Sequence, residues 1–373
     1  MGGSVTTTLQ LAESLVTRGV EVHIVAPVLT SDLGKAKNLK IDARVKLHWA
    51  TSPLAGSYET FPGKFLFLLA MTAKIRKLSP HIDVFHTQDF NVGLIAALIG
   101  ARKPVAAAFG ADPLFELLNY GRAAGVSHEI FSKSKAVRSV QAVIGALLSF
   151  AAGNKLTIAG LNEHSARTIQ RYYSGPVVSV PVGINLALYR PNATPREDIL
   201  LFAGRFVCWK GLDLAVDVLR KVRRHNGNVK LVCLGDGPLK KRYAEKYGRD
   251  GVAFISGADY KGVIEYYRKA RLLLATSQYE TFGITISEAM AAGLPIVAFD
   301  LEVYHDRLTN DENCYLVKNA ETNVFAGKVM ELLNDAGKRE GFAAKALDTI
   351  RDYDLDRITE KNMELYRSLC AAP

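Results

Sequence analysis

At 373 residues, 49% hydrophobic and 23% charged, the chain is long enough for two domains with full cores and has the make-up of a globular protein. No uncharged apolar run reaches the ~18 residues of a membrane-spanning helix. Four cysteines (Cys208, Cys233, Cys314, Cys370) lack CxxC or metal spacing and read as reduced thiols.

The net charge of +10 is uneven: residues 1–190 hold 20 Lys+Arg against 11 Asp+Glu, and residues 191–373 hold 27 against 26. A basic first half favours anionic partners such as a membrane surface or a phosphorylated acceptor. Nucleic acid is not expected, because no basic cluster is interleaved with aromatics.

The chain opens on a Gly-Gly loop. Val5, Leu9, Ala12 and Val16 recur at helical spacing up to Gly19, and Val20, Val22, Ile24 and Ala26 then alternate as a strand. Val45 to Trp49 is a further strand, and Phe61 to Leu78 a helix with one apolar face and a basic end. That helix is expected to pack in the core; the rival reading is an interfacial helix on anionic lipid, which needs exposed apolar side chains beside its lysines. Strands follow at Asp83–His86 and Val105–Phe109, with a helix Val92–Ile99 between them. Ala142 to Ala152 reads as a buried helix. Leu156–Ala159, Glu163–Tyr173 and Val177–Pro181 read as strand, helix, strand. The N-terminus lacks a basic n-region and a signal-type apolar stretch, so a cytoplasmic location is expected, with peripheral attachment to the inner membrane face as its extension.

The second half alternates cleanly. Strands are expected at Ile199–Ala203, Lys230–Leu234, Val252–Ile255, Leu272–Thr276 and Ile296–Phe299, with helices between them, which implies a doubly wound parallel sheet. The expected domains are 1–188 and 189–355, with a final helix, 356–373, packing back on the first.

The stretch Arg271 to Asp300 organises this half. Its loop, Gln278 to Ile284, follows a buried parallel strand and precedes a helix N-terminus, where open α/β sheets bind ligands and free N–H groups attract anions. Glu280 and Glu288 bracket that seat. Carboxylates repel phosphate, so their partners are hydroxyls, and a diphosphate with a sugar at each end satisfies all three features. Thr285-Ile286-Ser287-Glu288 also reads as a capping box, which would leave Glu288 a structural role. After the first strand of this half, Arg205 and Lys210 can neutralise a diphosphate. Asp354 and Asp356 have the letters of a metal site but the context of a helix start, so no metal is expected.

The string Glu280, Phe282-Gly283, Glu288-Ala289-Met290-Ala291, Gly293-x-Pro295 closely resembles the E-x7-E segment of retaining glycosyltransferases of family 4. Gly204-Arg205…Lys210-Gly211 and Gly235-Asp236-Gly237-Pro238 resemble further blocks of that family, and the likeness covers nearly the whole chain. The resemblance implies the GT-B fold, two Rossmann-like domains facing a cleft. It also implies transfer of a sugar from a nucleotide-diphosphate donor to a hydroxyl acceptor with retention, no cofactor, and the diphosphate oxygen helping to deprotonate the acceptor. By the same resemblance Arg205, Lys210 and Glu280 are the catalytic set. The donor site adds Gly3, Gly204, Gly235, Gly257, Phe282, Gly283, Ile284 and Glu288, and the acceptor side is assigned to Asp89, Phe109 and Asp112.

Three departures stand out. Phe109 occupies a position where the family usually has a sugar-contacting histidine. Leu301-Glu302-Val303 replaces a Gly-rich turn, and Val182 an asparagine. In the family a strand precedes the glycine loop and is central in the first sheet; here nothing precedes the loop. The first sheet is therefore expected to have unpaired edges, as from a truncated or misassigned start; the alternative is a variant whose sheet closes differently. The alternatives are a non-catalytic sugar-nucleotide-binding subunit and, more weakly, an NAD-dependent dehydrogenase, for which no G-x-G-x-x-G opens a helix.

Overall fold

The computed structural model describes all residues except 1–2, 38–40, 53–60, 89–91, 110–134, 153–154, 193–194, 258–259 and 372–373. The chain forms two compact units. The N-terminal unit is built on Gly3–Pro113, Ser139–Gly183 and Leu355–Pro373, and the second on Ile184–Asp354. The division falls at Gly183, slightly ahead of the expected position.

In the N-terminal unit the elements run α1 (Gly3–Thr17), β1 (His23–Pro27), β2 (Lys46–Ala50), α2 (Phe61–Leu78), β3 (Phe85–Thr87), α3 (Val92–Gly100), β4 (Val105–Phe109), α4 (Lys135–Ala152), β5 (Leu156–Gly160), α5 (Glu163–Gln170) and β6 (Val177–Ser179). The strands form two sheets, β1-β2 and β3-β4-β5-β6, with every pair parallel. Among the described residues no ladder joins β1 or β2 to the four-stranded sheet, so the expected interruption is present. Helix α2 closes one layer: Phe67, Met71 and Ile75 enter a core with Leu94, Val105, Leu156 and Ile158. Its opposite face leaves Phe65 and Leu69 each 53% exposed. Helix α4 departs from the expected buried helix. It begins earlier, at Lys135, and Val140, Val143 and Phe150 are exposed, at one-face spacing.

The second unit contains β7 (Ile199–Ala203), α6 (Leu212–Arg223), β8 (Lys230–Leu234), α7 (Lys240–Tyr247), β9 (Val252–Ile255), α8 (Tyr260–Lys269), β10 (Leu272–Ala275), α9 (Ile284–Ala291), β11 (Ile296–Phe299), β12 (Tyr315–Val317), α10 (Thr322–Asn334) and α11 (Ala336–Thr349). Its sheet has the order β12-β11-β10-β7-β8-β9, all parallel. Buried apolar strands such as Leu272–Ala275 divide the core into two layers, one under each set of helices. The last helix, α12 (Leu355–Ala371), belongs to the N-terminal unit, where Arg18 of α1 donates to Asp356 Oδ1 at 2.7 Å. Asp356 is therefore an ion-pair partner in a first helical turn.

Candidate active site

From β7 the second unit's chain runs outward through β8 and β9 on one side, and through β10, β11 and β12 on the other. The winding reverses between β7 and β10, and the crevice beyond the carboxyl ends of those two strands is where such sheets hold ligands. The loops after β7 and β10 meet there. The Gln278 N–H donates to Trp209 O at 2.7 Å, and the Thr276 hydroxyl to Gly211 O at 2.9 Å. This stitching brings Lys210 to Glu280, whose carboxylate accepts from the lysine ammonium and, at 3.0 Å, from the Ser277 hydroxyl. Both side chains are largely enclosed, at 19% and 7% exposure. Arg205, on the same loop as Lys210, is exposed.

The turns after β7, β8 and β9 lie side by side. Gly204 N–H donates to Leu234 O, and the Ser256 hydroxyl to Gly235 O. Gly235 has φ +148, and an added Cβ would sit 1.9 Å from Gly204 O, so only glycine lets these turns approach. Gly257, with φ +69, ends the next turn in open space.

Beyond Glu280 the loop enters α9 through Gly283, at φ 78 and ψ 61, with no side-chain cap. This corrects the capping-box expectation: the helix starts ahead of Thr285, and Glu288 closes no cap. The Glu288 carboxylate instead accepts from the hydroxyls of Tyr189 and Tyr267, each at 2.6 Å. Burial raises its pKa above the ordinary glutamate value, and the two tyrosine hydroxyls act in the opposite direction. Phe282 is buried, and Ile284 is the first residue of α9.

Sequence reasoning passed over Arg307. It is 2% exposed and grips this loop from behind, donating to the carbonyl of Phe282, the hydroxyl of Ser287 and, at 3.4 Å, the carbonyl of Gly283. Its guanidinium stacks 3.9 Å from the Phe282 ring centroid. The signal was faint, a lone arginine twelve positions after the matched string ends at Pro295, related to it by no helical or strand period.

In the N-terminal unit, Gly3 is the first residue of α1 and Phe109 the last of β4. The candidates Asp89 and Asp112 lie outside the described residues. A cavity of about 30 Å³ opens beside the carboxyl ends of β3, β4 and β5, lined by residues that include Thr7, His86, Gln88 and Asn362. His86 Nδ1 is hydrogen-bonded to the Tyr366 hydroxyl, whereas its Nε2 is buried with no partner among the described residues. Burial lowers the His86 pKa to about 4, so the ring is neutral at pH 7.

Residues 190–348 match the family model described as glycosyl transferases group 1, and residues 1–111 match that of glycosyltransferase family 4. The chain is 26% identical to the D-inositol 3-phosphate glycosyltransferase of Xylanimonas cellulosilytica, over 98% of this chain and 91% of that one. It is 24% identical to the phosphatidyl-myo-inositol mannosyltransferase of Mycobacterium leprae, over 100% and 94%. Among solved structures, the sucrose-phosphate synthase of Thermosynechococcus elongatus superposes with a TM-score of 0.80 at 20% identity, covering 100% of this chain and 94% of that one. Anabaena HepE in complex with UDP and glucose gives 0.71 at 18% identity, over 98% and 96%. At these identities the structural likeness speaks for the fold.

Proposed function

The chain belongs to the family-4 glycosyltransferases of the GT-B fold, and on that premise we propose that it moves a sugar from a nucleotide-diphosphate donor to a hydroxyl acceptor with retention. The observation that carries the reading is the meeting of Lys210 and Glu280 beside the N-terminus of α9, at the reversal of the second sheet. Lys210 and the amides of Gly283 and Ile284 take the diphosphate, with Arg205 reaching in from the exposed side. Charge developing on that leaving group is met by groups already in place, which makes its stabilisation the main catalytic term. Glu280 accepts from sugar hydroxyls with the lone pairs that Lys210 and Ser277 leave it. Glu288, steadied by two tyrosines, offers its remaining lone pairs to the ribose. Binding of UDP-glucose by HepE and of UDP by the Staphylococcus aureus protein TarM supports a nucleotide sugar as donor.

The acceptor is assigned to the N-terminal unit. Peripheral attachment to an anionic membrane is part of the same reading. Phe65 and Leu69 on α2 and Ile95 and Ile99 on α3 are exposed, α2 also carries Lys64, Lys74, Arg76 and Lys77, and residues 61–82 contain no acidic side chain. A thermal-shift and product screen with UDP-, GDP- and ADP-sugars tests the donor. One nucleotide class should raise Tm and yield product; no shift with any of them would overturn the assignment. Flotation with phosphatidylglycerol against phosphatidylcholine vesicles tests attachment, which Leu69→Glu should abolish.

A further inference from the structure

A buried cation needs an explanation, because removing a charge from water is costly unless something replaces the lost hydration. Arg307 is such a case. Among the described residues no carboxylate forms an ion pair with it, and its Nε has no hydrogen-bond partner. Carbonyls, one hydroxyl and two aromatic rings surround it: Phe282 at 3.9 Å and Tyr353 at 5.6 Å. Burial lowers its pKa to about 10, which still leaves it charged at neutral pH.

Of the three carbonyls it holds, Val303 O at 3.4 Å belongs to the segment just before it, and the other two are those of successive peptide units, Phe282–Gly283 and Gly283–Ile284. In a trans peptide the C=O and N–H point in opposite directions. Drawing both carbonyls toward Arg307 therefore turns the N–H groups of Gly283 and Ile284 away from it. As the leading N–H groups of α9 they have no partner within that helix. The same guanidinium adds a positive charge behind a helix N-terminus that is already electropositive.

We infer that Arg307 is the positioning residue of the diphosphate seat: it fixes the two peptide planes that present the Gly283 and Ile284 amides to the donor's phosphates. This rests on the donor site proposed above and adds a residue outside the motif that identified it. A purely structural role predicts loss of stability, and with it an equal loss of affinity for every part of the donor. A positioning role predicts a loss confined to ligands that carry phosphates.

The test compares UDP, GDP and ADP with uridine, guanosine and adenosine by calorimetric titration of the full chain. Arg307→Met should weaken the preferred diphosphate about tenfold, the worth of a charge-assisted contact, and change its parent nucleoside less than about twofold. Arg307→Lys, which keeps the charge but lacks the fork, should recover part of that loss. If Arg307→Met does not fold, Arg307→Lys and Ser287→Ala carry the test, because each loosens the guanidinium's hold without emptying its site. Both should show the same selective loss at smaller size. Equal weakening of diphosphate and nucleoside, or none, overturns the role of Arg307 and leaves the donor site standing. A native chain that binds none of the three diphosphates overturns both.

Discussion

Lys210 and Glu280, seventy positions apart in the chain, form an ion pair where the loops after β7 and β10 are stitched together. The lysine thus serves two anions, the carboxylate beside it and the diphosphate of the proposed donor. Lys210→Ala should weaken nucleoside diphosphate binding by roughly 1.5–3 kcal/mol, the worth of a hydrogen bond to a charged group. It should also lower Tm, because among the described residues Glu280 then keeps only the Ser277 hydroxyl, at 7% exposure. Glu280→Gln should retain the nucleotide and lose turnover. Titration calorimetry and a product assay on the two variants separate these outcomes; unchanged affinity in Lys210→Ala would sink the diphosphate assignment.

Gly283 is held open by two constraints. Its backbone is left-handed, and a Cβ there would lie 2.6 Å from Cε1 of the buried Tyr304 ring. Gly283→Ala should therefore cost on the order of 1–3 kcal/mol and weaken diphosphate binding as the seat distorts. Urea denaturation paired with the same titration checks both. Ala at this position with native stability would show that the loop has another conformation available.

Glu288 gives a pH signature. Its folded-state pKa is raised by burial, so between the unfolded value and the folded one the native state holds more protons than the unfolded chain. Stability from this group is thus fully present below the ordinary glutamate pKa and falls as pH rises through the folded value. Glu288→Gln should remove that part of the pH dependence while one amide oxygen still accepts from a tyrosine. It should also weaken the parent nucleoside, if the ribose reading holds. Denaturation midpoints measured from pH 4 to 8, with nucleoside titrations, read both effects.

Much of this arrangement was legible because its signals are local. The glycines that end β7, β8 and β9, the apolar strands and the E-x7-E segment lie in short windows, and the expected strands formed within about three residues of their expected bounds, whereas β12 (Tyr315–Val317) was not foreseen. The capping box failed because Gly283 already starts the helix, leaving Glu288 to side chains from two other elements, Tyr189 and Tyr267. Those tyrosines, and Arg307, reach the site through tertiary packing, which no spacing along the chain encodes. The apolar face of α4 misled for a related reason: helical period marks an apolar side, but not whether anything covers it.

His86 gives the opposite pH dependence to Glu288, and in the other unit. It sits on β3 against Tyr366 of α12, and burial lowers its pKa from 6.5 to about 4. In that window the unfolded chain binds the proton that the native ring refuses, so stability is lost as pH falls from about 6.5 toward 4. The slope approaches about 1.4 kcal/mol per pH unit in mid-window. His86→Gln keeps a polar group for the Tyr366 hydroxyl and cannot titrate. Its midpoint should therefore be flatter with pH than the native chain's over that range, and the two should differ less at pH 7 than the change in slope alone would suggest at pH 4. Chemical denaturation at half-unit pH steps, followed by tyrosine fluorescence and circular dichroism, measures the slopes. Parallel curves for the native and variant chains would show that burial does not lower the His86 pKa in the folded protein.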